Sequence, residues 1–531
     1  MGTYVNPGNQ AFQQIAGPDY IDKTGLIELM NKRIGTDSGL VCISRPRRFG
    51  KSYAAKMLTA YYDCSCDSHG LFEDKQIARA DDYENHLNRY NVICLDITGF
   101  ISDIKRKKES LRLVPDRIVE AVQDELEIRK KGENLTDSLI RFVQETGRKI
   151  VFIIDEWDAM IREAKDDSIA QEAYLNLLRG WFKNANVTPK IAAAAYMTGI
   201  LPLKKDGSQS SISDFREFTM VKPRQFGRYV GFTEGEVEEI CARKKIDFNT
   251  MKRWYDGYFF QETGSVYNPN SVMRAVEYDD FDSYWTQTSA SDSLMEYISQ
   301  DYNGLTRTIA ELIGGVDVRV NTTGFANDLT TFRGKDDVLT LLIHLGYLAY
   351  DADRKSVRIP NEEIRQEFQR SIHEVKHEAT LARLRESEQL FADTIQGNEE
   401  AVAAQIEKVH AEETSPLHYN KEESLRSVIK LAYYSYRDHY LKFEELPSGE
   451  GYADIVYIPK PESDWPALVI ELKWNKNVDG AVDQILKKKY VSSLENLGRT
   501  ILLVGITYDK NSGTDGKKHI CRIIEYPAVH H

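Results

Sequence analysis

Four runs of apolar residues punctuate the first part of the chain: LVCIS at 40–44, NVICLDIT at 91–98, IVFIID at 150–155 and IAAAAYMT at 191–198. Stretches of helical character separate them, the first at 52–62. Strands that are apolar on both sides and joined by helices are what a parallel sheet covered on two faces requires. The small residues of the fourth run would permit close packing. The insert at 101–148 reads as helical and charged, with IKRKKES a solvated face.

From about 215 to 380 the pattern turns mainly helical, with aromatic clusters at WYDGY and VYNPN. A helix at 336–345 leads into YLAYDADRKSVRIPN, two short strands about a charged turn, and then a helix from Glu362. Helix followed by hairpin is the skeleton of a winged helix. The polar stretch 381–418 reads as a helical connector. A last unit then predicts a helix at 422–434, strands at 452–458 and 467–474, a helix at 481–496 and a strand at 500–506. The expected organisation is α/β at both ends, with domains at 1–214, 215–380 and 419–531 joined by the connector 381–418.

Composition sets bounds on this picture. A chain of 531 residues exceeds what one core supports, so three or four domains are expected. No apolar run approaches a membrane span, and the N-terminal MGTYVNPGNQAF lacks the basic and apolar regions of a signal peptide. No membrane partner and a cytoplasmic location are the expectation. Six scattered cysteines suit a reducing compartment. Cys64, Cys66 and His69 offer too few donors at an unusual spacing for zinc, so a helix-end loop is expected there. A net charge of −13 argues against a wholly basic coat but leaves room for a local basic groove.

The chemistry begins at CISRPRRFGKSYA, 42–54. A phosphate-binding loop needs backbone N–H groups converging at a helix N-terminus, a lysine for the β and γ oxygens, and a hydroxyl for Mg²⁺. Gly50, Lys51 and Ser52 supply these, and the flanking Arg45, Pro46, Arg47, Arg48, Phe49 and Tyr53 complete the candidate ATP-binding stretch. Arg45 stands where the first glycine of such a loop belongs. The strand KIVFIIDEWD ends in two acids, at the edge where parallel sheets bind ligands. Asp155 is placed to hold Mg²⁺ and Glu156 to activate water; the alternative is that these acids cap the next helix. The intervening strand at 91–98 implies a sheet with a strand inserted between the loop strand and the Asp-Glu strand. Such a sheet belongs to ATPases with a catalytic glutamate, whereas a nucleotide kinase has no need of Glu156. Thr198, ending the fourth run, is a candidate phosphate sensor or a hydroxyl satisfied locally. Arg45, Arg47 and Arg48 could touch phosphates or a neighbouring copy's nucleotide, which would require a homo-oligomer.

A second constellation lies in the last unit. SGEGYADIVYIP places Asp454 on a strand, and ALVIELKW places Glu471 and Lys473 on one face of another. Two carboxylates and a lysine are what a metal-dependent phosphodiesterase needs, with Mg²⁺ or Mn²⁺ held by oxygens and the lysine favouring hydroxide. Glu423 could add a ligand, Gln484 and Lys487 could position the scissile phosphate, and Tyr490 lies one turn further. The alternative for E-x-K is a surface ion pair. His344, in an apolar helix, is expected to be a core histidine. No zinc hydrolase is expected, and no nucleophile elbow is recognisable.

The set DYIDKT, SRPRRFGKS, VFIIDEWD, MTGILPLK, WYDGY, VYNPNSV and YWTQTSA resembles a bacterial family of AAA-ATPase-like proteins with a C-terminal nuclease-like domain of the PD-(D/E)XK superfamily. The resemblance spans nearly the whole chain, and that family carries its loop with arginine where Arg45 stands. It implies ATP binding at Lys51 and Ser52, a magnesium and hydrolysis pair at Asp155 and Glu156, and nuclease-like residues at Asp454, Glu471 and Lys473. Around Glu423 the chain departs from the family, since Ser424-Leu425-Arg426 stands where many relatives have aromatics. The architecture implies an ATPase whose nucleotide state controls a nuclease acting on nucleic acid, in mobile-element or phage defence. The alternative is a switch or scaffold that binds nucleic acid or a protein without cutting.

Overall fold

The computed structural model describes residues 2–126, 134–203, 205–206, 209–210, 212, 214–285, 305–326, 332–374, 378–413, 428–429, 432–433, 440–448, 451–459, 465–474, 499–508 and 519–527. The chain divides into two compact units: Met1–Asn303 with Arg319–Glu367, and Gly304–Val318 with Phe368–His531.

The first unit is built on a parallel sheet of β1 (Leu40–Ser44), β2 (Asn91–Asp96), β3 (Ile150–Asp155), β4 (Ala192–Gly199) and β5 (Arg216–Phe218). Their order is β2-β3-β4-β1-β5. Every residue of β1 and β3 is buried, as continuous apolar strands covered on both faces must be. The strand between β1 and β3 is β4, which corrects the expectation for 91–98; β2 takes the sheet edge instead. That edge position follows from its pairing with β3 on one side and, on the other, a single bridge from Ile93 to Val5. The strand also ends two residues early. Asp96 accepts from the Thr98 amide and starts the helix Ile97–Arg106. After β1 the chain turns at Gly50, with φ of 91°, into helix α1 (Lys51–Tyr62). A side chain is strained at that φ, so glycine suits the turn.

Downstream, β6 (Phe232–Thr233), β7 (Tyr258–Phe260) and β8 (Gly264–Tyr267) form a small antiparallel sheet in the order β6-β8-β7. The aromatic clusters are its core: Tyr255, Tyr258 and Tyr267 are buried. Past α2 (Ala159–Glu163) and α3 (Pro269–Tyr278) comes the helix–hairpin–helix foreseen in the sequence. It consists of α4 (Lys335–Leu345), the antiparallel pair β9 (Ala349–Asp351) and β10 (Ser356–Arg358), and α5 (Glu362–Glu374). His344 is buried and stacked on Phe325, in keeping with a core histidine. Gly346, at φ of 88°, lets the end of α4 approach the loop: a Cβ there would lie 2.8 Å from Pro46 and from Trp285.

The second unit is a five-stranded sheet, β11 (Tyr440–Ser448), β12 (Gly451–Pro459), β13 (Ala467–Trp474), β14 (Ile501–Tyr508) and β15 (His519–Tyr526), in that order. Only β13 and β14 are parallel; the other neighbours are antiparallel. Two helices, α6 (Glu378–Ile395) and α7 (Glu399–Glu413), occupy the stretch expected as a connector. Their Leu390, Phe391, Val402 and Ile406 join Ile455, Leu468 and Ile470 in one buried cluster. Val402, Ile406 and Val409 recur at helical spacing, so one face of α7 is apolar and belongs to the core.

Candidate functional sites

The first site forms where β1, β3 and β4 end beside the start of α1. In a parallel sheet all strand C-termini reach one edge, so residues distant in sequence meet there. The Lys51 ammonium donates to the carbonyls of Arg45 at 3.2 Å and Pro46 at 3.0 Å, and lies 3.1 Å from Glu156 Oε1. The Ser52 hydroxyl, exposed on the first turn of α1, lies near enough to the Asp155 carboxyl to favour its charged form. The Thr198 hydroxyl donates to Asp155 Oδ1 from β4, and its oxygen accepts weakly from the Glu156 amide at 3.4 Å. Thr198 thus touches both acids, Asp155 by its hydroxyl proton and Glu156 at its amide.

The electrostatics sort the two acids. Burial pushes the Asp155 carboxyl above its ordinary value, and the Ser52 and Thr198 hydroxyls only partly offset this. Burial also acts against an ionised Glu156, but the charges of Lys51 and Arg162 outweigh it and hold that carboxyl below its ordinary value. Arg162 lies on α2, 2.6 Å from Glu156 Oε2, and its Nε donates to buried Asp158 at 3.0 Å. Asp158 in turn accepts from the Ile200 and Leu201 amides, which locks α2 to the end of β4. Sequence reading did not single out Arg162. Its spacing of four from Asp158, within DEWDAMIR, was the available signal. Glu156 itself has a φ of 51°, an uncommon left-handed conformation that aims its side chain back at the loop.

Arg48, Phe49, Gly50, Lys51, Ser52 and Tyr53 border a cavity of about 750 Å³, a size suited to a nucleotide. Its other walls are the N-terminal segment 14–23, the turn 229–232, and the face of α3 that carries Asn270, Met273 and Arg274. Lys23 pins the N-terminal wall by donating to Glu236 at 2.6 Å and to the Arg228 carbonyl at 2.8 Å. Neither that wall nor α3 was assigned to the site from the sequence: DYIDKT and VYNPNSV lie on them, but neither spells a phosphate- or metal-binding pattern.

The arginines of the loop divide. Arg45 is fully buried, donates to the Ser44 and Phe218 carbonyls, and lies over the Phe260 ring at 5.1 Å. Burial lowers its pKa to about 10, and its Nε and Nη2 have no hydrogen-bond partner among the described residues. It does not border the cavity, so the phosphate or neighbouring-copy contact expected of it is replaced by a structural anchor under the loop. Pro46 contributes its carbonyl to Lys51, and Phe49 packs edge-on against Tyr258 at 5.4 Å. The charge of Arg47 reaches Glu156 and Glu163. Arg48, at φ of 67°, donates to the Tyr284 carbonyl at 2.8 Å and borders its own chain's cavity.

The second site lies on β12 and β13. Ile455 pairs with Ile470, so Asp454 and Glu471 are cross-strand neighbours, and Lys473 shares their face. Lys473 donates to Glu471 Oε1 at 2.8 Å, and Asp454 Oδ2 accepts from the Leu472 amide at 2.9 Å. Glu471 is buried and Asp454 half-buried. Glu423, Gln484, Lys487 and Tyr490 lie outside the described residues. Among the described residues no group of three or more histidines, cysteines or acids could hold a metal. Cys64 and Cys66 instead make weak contacts with Asn91 and the Asp63 carbonyl. No helix among the described residues is long and apolar enough to cross a membrane.

No curated protein matches the chain. Among solved structures, a Walker-type ATPase of Pyrococcus abyssi aligns at 10% identity and a TM-score of 0.32, over 65% of this chain and 94% of its own. The ORC2 protein of Aeropyrum pernix, in ADPNP and ADP complexes, aligns at 12% identity and 0.31, over 68% and 98%. Likenesses this loose carry no argument here. Residues 7–208 match the family described as predicted AAA-ATPase, and residues 420–518 match the PD-(D/E)XK nuclease superfamily. The chain thus joins an AAA-ATPase-like domain, which holds the loop and the acid pair, to a PD-(D/E)XK nuclease-superfamily domain, which holds Asp454, Glu471 and Lys473.

Proposed function

We propose that the protein binds and hydrolyses ATP in the first unit and that its nucleotide state controls a metal-dependent nuclease in the second. The observation that carries the ATPase reading is the meeting of Lys51 and Ser52 with Glu156 and Asp155 beside a nucleotide-sized cavity. The phosphates would lie against the amides at the start of α1, with Lys51 exchanging Glu156 for phosphate oxygens. Arg48 and Arg274 supply positive charge at the cavity wall. Ile15, Tyr20, Ile21, Phe232 and Met273 offer the apolar surface a base needs.

The donor set at the end of β3 fits Mg²⁺. A hydroxyl and a carboxyl stand together, and the carboxyl is buried enough that a cation would relieve the cost of its charge. Ser52 and Asp155 would hold the ion, which supplies charge neutralisation at the phosphates. Glu156 is ionised and positioned to orient a water or take its proton. Thr198 keeps Asp155 turned toward Ser52.

At the second site Asp454 and Glu471 would be ligands for Mg²⁺ or Mn²⁺, which would supply Lewis acidity at a phosphodiester. Lys473 neutralises Glu471 and places a cation beside the scissile group. The ion pair of Lys473 with buried Glu471 also suits a second reading, in which this domain binds nucleic acid or a protein without cutting. The reading of a role in defence rests on domain architecture alone.

The purified protein, assayed with ATP and with single-stranded DNA, double-stranded DNA and RNA in Mg²⁺ or Mn²⁺, tests both readings. Turnover and cutting support the nuclease; turnover with every substrate left whole supports the non-cleaving switch.

A further inference from the structure

Beneath the loop lies a polar cluster that the hydrolytic chemistry does not use. Glu363, on the first turn of α5, is 1% exposed. Its carboxyl accepts from the Ser271 hydroxyl at 2.8 and 2.9 Å and from the Tyr284 amide at 3.0 Å. Ser271 belongs to α3, one turn before Arg274 on the cavity wall. The carbonyl of the same Tyr284 accepts from Arg48 of the loop at 2.8 Å. One carboxyl therefore ties two cavity elements together: the loop through the backbone amide and carbonyl of Tyr284, and α3 through Ser271. Glu367, one turn on, accepts from Ser283 and fixes the neighbouring residue of the same strap.

We infer that Glu363 is a positioning residue that sets Arg48 and helix α3 at the spacing needed to grip the phosphates of a bound nucleotide. The inference rests on the reading of the cavity as the nucleotide site. Groups acting on Glu363 include Arg48 from the loop and Glu367 on its own helix, while Tyr255 and Tyr258 feel its charge from neighbouring elements. Burial raises its pKa to about 8, so near neutral pH the carboxyl is mostly uncharged. A glutamine can then take its place as acceptor for Ser271 and Tyr284 without adding charge.

The test uses the full chain and three variants, Glu363→Ala, Glu363→Gln and Ser271→Ala, with ATP-Mg²⁺ binding and steady-state hydrolysis measured at pH 7. Loss of a contact used equally in ground and transition states raises KM and leaves kcat. Glu363→Ala is expected to weaken ATP binding about tenfold with kcat within about threefold, and Glu363→Gln to restore affinity to within about threefold. A Glu363→Ala variant that melts at lower temperature but binds ATP like wild type overturns the inference. Should that variant not fold, Ser271→Ala decides: weaker binding with kcat retained supports the role, and unchanged binding overturns it. If wild type binds no ATP and Lys51→Ala changes nothing, the nucleotide-site reading falls first, and the two failures are thereby told apart.

Discussion

Glu156 carries the sharpest prediction at the scale of single residues. Both its oxygens are held, one by Lys51 and one by Arg162, and the two cations keep it ionised. Replacing it by glutamine preserves shape and removes the proton acceptor. Glu156→Gln should bind ATP with near wild-type affinity and hydrolyse it about 10²–10⁴ times more slowly. Rapid-quench turnover and equilibrium binding measure the two separately; unchanged hydrolysis would remove this residue from the mechanism. Residues at this scale were largely legible in the sequence where they belong to a local pattern. Gly50, Lys51, Ser52, Asp155 and Glu156 stand at strand and helix ends, where a motif and its geometry coincide. Arg45 was not legible: the sequence shows a charge, and only packing shows that it is buried over the Phe260 ring and bonded to the Phe218 carbonyl. Arg162 was missed although its partners Glu156 and Asp158 are local, and Glu363 because its partners Ser271 and Tyr284 come from the fold.

Among the elements, α5 offers a pH test. Glu363 has its folded pKa raised to about 8 from an ordinary 4.5, with burial the largest cause. The folded state therefore holds a proton that the unfolded chain releases, and stability falls as pH rises between those values. Glu363→Gln removes the titration. The melting temperature of Glu363→Gln relative to wild type should climb between pH 5 and about pH 8 and level off above. A difference that does not change with pH would contradict the assignment. The elements themselves were read well where apolar runs are continuous: β1, β3 and β13 fall where the pattern puts them. The edge strands β11 and β15 were missed. Each alternates with charged residues, and β11 contains Pro447, which suits a sheet edge and looks like a loop in sequence. The helices α6 and α7 looked like a polar connector because their apolar face is narrow, yet it is buried. Sheet order is a matter of long-range pairing, which is why β4 rather than β2 stands between β1 and β3.

For the whole molecule, the prediction is that the two chemistries separate by mutation. Asp454→Ala removes one of the paired carboxylates of the second site and leaves the first untouched. It should abolish metal-dependent cutting while ATP turnover stays within about twofold of wild type. Loss of both activities would mean that the domains do not act as separable machines. If the nucleotide state controls the nuclease, Lys51→Ala should alter the rate of cutting as well as abolish turnover, measured on the same preparation. Cutting that is indifferent to ATP and to Lys51→Ala would leave two independent activities on one chain.

The most direct measurement is calorimetric titration of ATP-Mg²⁺ into the wild-type protein and into Lys51→Ala, paired with phosphate release from each. Saturable binding and steady hydrolysis by wild type, with turnover lost in Lys51→Ala, is the predicted result. Wild type that neither binds nor hydrolyses ATP, or a Lys51→Ala protein that does both as well as wild type, would contradict it.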